Sequence, residues 1–179
     1  MPITPLHLGP GAVIKAVTGS HFSLAVFAFS QISMDIEVFS RVVLGVTKIH
    51  GFTNTIVGAS AALIPSIVLG KPLCEWYLKW WNRNLDPRQK QLLSVSEYVP
   101  WSAAVLGGVI GVYSHWFFDA LMYPDAETLW PFEVGNRFFA GVAIEDLNQL
   151  YIATLVVGFG FLLGRRLFTS KWKTGDNHA

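Results

Sequence analysis

Three stretches of this chain are apolar for long enough to cross a bilayer as helices, which takes about 20 mostly apolar residues. They run from Phe52 to Trp81, from Tyr98 to Met122 and from Leu147 to Phe168. Pro65, in the middle of the first, predicts a kink there. Ahead of them, Pro5 to Ser33 contains two shorter apolar runs divided by Thr18-Gly19-Ser20, a breaking and N-capping cluster. Each run is too short to span alone, so this segment forms one broken spanning helix or a hairpin that enters the membrane and returns. The expected fold is an all-α integral membrane protein with three full transmembrane helices and a broken N-terminal helical pair. It forms a single helical domain over residues 1–168, followed by a polar cytoplasmic tail at 169–179.

Composition agrees with a lipid environment. Of 179 residues, 52% are hydrophobic and only 14% charged, and thirteen basic against twelve acidic residues leave a net charge of +1, which gives no reason to expect nucleic acid as a partner. The single cysteine, Cys74, excludes an internal disulfide and a cysteine-based zinc site. No basic residue precedes Lys15, and Pro5, Gly9, Pro10 and Gly11 interrupt the first apolar run, so no secretory signal is expected.

Loop charge sets the expected orientation. Lys71, Lys79, Arg83, Arg88 and Lys90 lie in the Lys71 to Lys90 connection, and Arg165, Arg166, Lys171 and Lys173 in the C-terminal tail, which assigns both to the cytoplasm. Between Met122 and the last span the chain is acidic, with Asp125, Glu127, Glu133, Glu145 and Asp146 against Arg137 alone, and belongs outside. Trp76, Tyr77, Trp80 and Trp81 read as an interfacial belt.

His115 and Asp119 interrupt the second long span. Four residues apart, they share one helix face, and ionisable groups inside a membrane segment are costly enough to suggest function. Both are also first-choice metal ligands. The orientation above brings Asp35, Glu37 and His50 to the same side, and His7 too if the N-terminal segment is a hairpin. His7, Asp35, His50, His115 and Asp119 are therefore candidate ligands for a divalent metal, zinc above all, with Glu37 and Asn54 as outer or weak partners. Asp35 and Glu37 are candidate general bases. Each residue also has a plainer reading: a buried His–Asp hydrogen bond, an interfacial His7, solvated carboxylates, and Asn54 as a cap to a helix that His50 opens. Ser114 is discounted as a nucleophile, since neighbouring residues on a helix point apart.

The ordered motifs resemble a family of bacterial inner-membrane metal-dependent hydrolases, the LexA-regulated hydrolase-like proteins. The matching elements are Thr4-Pro5-Leu6-His7, Met34-Asp35-Ile36-Glu37, His50-Gly51-Phe52-Thr53-Asn54-Thr55, Tyr113-Ser114-His115-Trp116-Phe117-Phe118-Asp119 and Leu129-Trp130-Pro131-Phe132, over about residues 1 to 165. The sequence departs from that pattern at Asn54, where the family commonly has a second His, and at Gly51, where it has Arg. The resemblance implies a multi-pass protein of the bacterial inner membrane and a metal-dependent hydrolase, distantly similar to zinc-dependent phospholipase C. Its substrate would be a membrane lipid or other phosphoester near the outer leaflet. The competing expectation is a non-catalytic accessory subunit of a larger membrane complex, which keeps the His–Asp network for packing.

Overall fold

A computed structural model describes residues 7–133 and 135–175, except for the side chains of residues 169–175. It is helical, with no strand among the described residues. Seven α-helices follow one another: α1 (Leu8–Thr18), α2 (Leu24–Val43), α3 (Ile56–Val68), α4 (Gly70–Asn84), α5 (Pro87–Leu93), α6 (Trp101–Met122) and α7 (Ile144–Gly175).

The N-terminal segment is a helical hairpin, and it breaks where the sequence predicts. Thr18 ends α1, Gly19 takes a positive φ of 60°, and Ser23 starts α2 by accepting from the Val26 N–H. Two single helices are long and apolar enough to cross a membrane, Trp101–Met122 and the Ile144–Phe168 part of α7. A third candidate is the α3–α4 pair, bent by 44°. The bend lies at Leu69 rather than at Pro65, which stays inside α3. Pro72 accounts for this. It has no N–H to give the Val68 carbonyl and its ring opposes that carbonyl, which favours a break in the ladder there, and it is tolerated in the first turn of α4. At the same break Gly70 lies against the Phe29 ring.

The outer surface is strongly apolar. Ile32, Ile36 and Phe39 on α2 and Val156, Val157 and Phe161 on α7 are all exposed, as suits helices facing lipid. Helix α7 runs past Phe168 into the tail, whose last residues, 176–179, lie outside the described residues.

Close helix contact positions the polar centre. Ala103, Gly107, Gly111, His115 and Asp119 recur every four residues on α6 and are all buried. A Cβ at Gly107 would strike the Ser23 carbonyl, and one at Gly111 would strike Ser30 Oγ and the Phe27 carbonyl. Small residues thus let the α2 and α6 backbones approach closely, and the same ridge, continued by two turns, delivers His115 and Asp119 against α2. On the other side, Gly9 of α1 packs on Tyr151 and Thr154 of α7, and Gly158 of α7 packs on Ala12 and Val13. This second contact sets the start of α1, and with it His7, beside α6.

Candidate metal centre

His7, Asp35 and His115 converge so that one ligand atom from each lies within 4.8 Å of the others. His7 precedes α1, Asp35 comes from α2 and His115 from α6. The His7 and His115 rings meet edge to face at 5.2 Å, and His7 also packs on the Tyr151 ring at 4.9 Å. Asp119, one turn beyond His115, places Oδ2 at 3.2 Å from His115 Nε2, and Asp35 Oδ1 lies at 3.5 Å from the same nitrogen. Both histidines and Asp119 are buried.

The histidine tautomers follow from Gln31, a buried α2 residue that the sequence reading passed over. The Gly111 carbonyl oxygen can only accept, so the nitrogen of the Gln31 amide must face it, and Nε2 donates at 3.0 Å. Nε2 also reaches Ser114 Oγ, at 3.3 Å. Oε1 then points at both imidazoles, 3.3 Å from His7 Nδ1 and 2.8 Å from His115 Nδ1. An amide oxygen only accepts, so each Nδ1 must be the protonated nitrogen. A neutral His7 ring then carries its lone pair on Nε2, whereas His115 Nε2 faces the Asp119 and Asp35 carboxylates and pairs with them when it too is protonated.

His50 repeats this arrangement. Its Nδ1 lies 2.9 Å from Asp125 Oδ1, and its ring stacks on Tyr123 at 3.9 Å. The result is two buried Nε2 atoms, on His7 and His50, that have no hydrogen-bond partner among the described residues, and a third, on His115, aimed at the Asp35 and Asp119 carboxylates. Unmatched buried polar atoms are expensive and rare, and an imidazole with Nδ1 bonded and Nε2 turned inward is arranged as metal-ligating histidines are. Imidazole nitrogens and carboxylate oxygens without a thiolate suit zinc or a harder divalent ion. The one cysteine, Cys74, packs in a separate apolar cluster with Val26, Val99 and Ala104. Electrostatics favours the ligand form of His7. Burial first, and the neighbouring His115 next, hold its pKa below the ordinary value, against the opposite pull of Asp119 and Asp35.

The residues around His50 differ from the expected helix start. His50 and Gly51 are loop, Phe52–Asn54 is a single 3-10 turn, and α3 begins only at Ile56, capped by the Thr55 hydroxyl accepting from Gly58 N. His50 and Asn54 therefore do not share a helix face. Glu37 holds this turn from α2. Its carboxylate accepts from Phe52 N at 3.0 Å, Thr53 N at 2.6 Å and Thr53 Oγ1 at 2.8 Å, and pairs with Arg41. Gly51 is crowded by Glu37 and Arg41, so a side chain there would collide with both. Asn54 is fully buried and donates Nδ2 to Asp119 Oδ2 at 2.7 Å, while its Oδ1 has no partner among the described residues. The Ser114 hydroxyl donates to Gly111 O, within its own helix.

Two more residues of the centre escaped the sequence reading. Asp125 sits in the acidic segment that served only to set orientation, and Tyr123 ends α6. The Tyr123 hydroxyl is buried without a hydrogen-bond partner among the described residues. Burial, then Asp119, Asp125 and Asp35, push its pKa up to about 12, so it remains a neutral O–H donor. A bulky amide within an otherwise largely apolar run is the signal that could have singled out Gln31.

Residues 1–172 match the family described as a domain of unknown function, DUF4184. The chain belongs to that family. No curated protein and no solved structure matches this DUF4184 chain.

Proposed function

We propose that this DUF4184 protein is a membrane-embedded, metal-dependent hydrolase of phosphoester or lipid substrates. The observation that carries the reading is the cluster of His7, Asp35 and His115, one ligand atom from each within 4.8 Å of the others, in which both imidazoles have Nδ1 bonded to an acceptor and Nε2 turned toward the carboxylates or left without a partner among the described residues. His7, His115 and Asp35 form the first ligand set, with Asp119 and His50 beside them. Asn54 and Asp125 orient Asp119 and His50 respectively. A divalent ion, zinc first, bound there would act as a Lewis acid and lower the pKa of a ligated water.

The chain's own groups suit the remaining tasks. Asp35 has a side chain 18% exposed against 2% for Asp119, so it sits at the wet edge of the centre, where a carboxylate can accept a proton from water and pass it to solvent. The Tyr123 hydroxyl, neutral and unpartnered, offers a hydrogen bond to a substrate oxygen that gains negative charge. Glu37 is engaged by the 52–54 turn and serves as its clamp, which leaves Asp35 as the general base.

In this reading the α3–α4 pair is a third span, and the basic segments around α4, α5 and the end of α7 face the cytoplasm of a bacterial inner membrane. The centre then lies toward the outer leaflet. Reporter fusions test the orientation, and a cytoplasmic Asp125–Glu145 segment would overturn it. Metal analysis of protein purified without a His tag tests the centre. We expect stoichiometric zinc in the wild type and none in the His115→Ala, Asp119→Ala double variant, and zinc persisting in the variant would overturn the ligand set.

The second reading is an accessory subunit of a membrane complex that retains the network for packing. The bond from Asn54 to Asp119 favours it, since that bond already occupies one carboxylate oxygen. A metal-free protein that co-purifies in fixed ratio with other membrane subunits would put this reading first.

A further inference from the structure

Gln31 lies on α2 and touches neither Asp35 nor Asp119 through any bond described above, yet its amide oxygen faces Nδ1 of both His7 and His115. Its amide has no freedom to turn over. Rotation by half a turn would set Oε1 against the Gly111 carbonyl oxygen. Neither oxygen can donate, so that buried contact would be left unsatisfied at both atoms. Gly111 is also the point where α2 and α6 pack without an intervening Cβ, so the carbonyl that orients Gln31 is fixed by the helix contact itself.

We propose that Gln31 is a positioning residue that holds His7 and His115 together in the Nδ1–H tautomer before any ion arrives. The centre is thereby preorganised, with both Nδ1–H groups on Gln31 and both Nε2 atoms turned inward in the metal-free protein. One amide does for two histidines what the Asp125 carboxylate does for His50. Part of the claim, that Gln31 supports metal affinity, rests on the metal-centre reading; the tautomer claim does not.

The test uses the full-length protein in nanodiscs, labelled with ring-15N histidine and freed of metal by chelation. Protonated and unprotonated ring nitrogens give well-separated NMR signals, and single His→Gln variants assign them. The wild type should show Nδ1–H on His7 and His115. Gln31→Met keeps the volume and removes the acceptor, so both rings should lose their single tautomer, and zinc affinity, measured by competition with a chelating dye, should fall about 10–100-fold. Gln31→Glu in its protonated form can accept from both rings and still donate to Gly111 O, so it should restore the tautomers and most of the affinity.

Wild-type protein with an unprotonated Nδ1 on either histidine overturns the proposal, even if neither variant folds. So does a folded Gln31→Met variant that keeps both Nδ1–H signals. Wild-type protein that shows the expected tautomers but binds no zinc would instead overturn the metal-centre reading and leave the role of Gln31 in place.

Discussion

Removal of the Glu37 carboxylate separates two roles that the sequence allows. As a general base, Glu37 would matter for turnover and little for folding. As the clamp on the 52–54 turn, it matters for folding and for metal affinity. The carboxylate accepts from Phe52 N, Thr53 N and Thr53 Oγ1 and pairs with Arg41. Hydrogen bonds to a charged acceptor contribute about 1.5–3 kcal/mol each, but bonds that share one acceptor are not additive. The Glu37 side chain is 21% exposed, so water can replace part of what is lost. Glu37→Ala should therefore destabilise by about 2–4 kcal/mol, which scales to a fall in Tm of roughly 4–16 °C for a chain of this size. It should also lower zinc affinity, because the turn follows directly on His50. Glu37→Gln, whose amide oxygen still accepts from the turn, should fall between the two. Thermal unfolding in detergent, metal content and hydrolysis of a p-nitrophenyl phosphodiester would be measured on the same preparations. A Glu37→Ala variant with wild-type Tm and full metal content but no turnover would refute the clamp and restore Glu37 as a base.

Other substitutions bear on the rest of the centre. Asp125→Asn replaces the carboxylate that accepts from His50 Nδ1, and zinc affinity measured by dye competition should drop about 10–100-fold with little change in metal-free Tm. Gly111→Ala drives a methyl into Ser30 Oγ and should cost about 1–3 kcal/mol by overpacking, read as a lower Tm both with and without zinc. Asn54→His adds a buried imidazole beside Asp119. Metal-free protein should lose about 1–3 kcal/mol, and zinc should recover it, so a loss that zinc leaves unchanged would favour the accessory-subunit reading. Wild-type protein at a free zinc concentration about 100 times its Kd should gain about 2.7 kcal/mol over chelated protein, seen as a concentration-dependent Tm.

Local patterns made much of the architecture legible. The Thr18-Gly19-Ser20 break and the long apolar helix ending at Met122 depend on neighbouring residues, so hydropathy and breaker residues find them. The bend after α3 was missed because Pro65 drew attention, whereas the ladder breaks beside the carbonyl that Pro72, seven residues on, leaves without a donor. The turn at 52–54 was missed for another reason: its backbone donors are satisfied by Glu37, a partner from a different helix. For the centre, His115 and Asp119 stood out as charges in an apolar span, and His7 followed from the hairpin. Gln31 did not stand out, because the meaning of an amide depends on which atoms face it, and those belong to His7, His115 and Gly111. Asp125 was hidden by its acidic neighbours, any of which could have met His50.

The shared acceptor at Gln31 also bears on how the protein is made. Its two histidine partners lie 24 residues before it and 84 residues after it in the chain. The first imidazole leaves the ribosome long before the helix that carries the second. Gln31 and His7 are made together with α2, but the Gly111 carbonyl that fixes the amide arrives only with α6. On the metal-centre reading, the two imidazoles would therefore come together as ligands only once α6 has packed against α2.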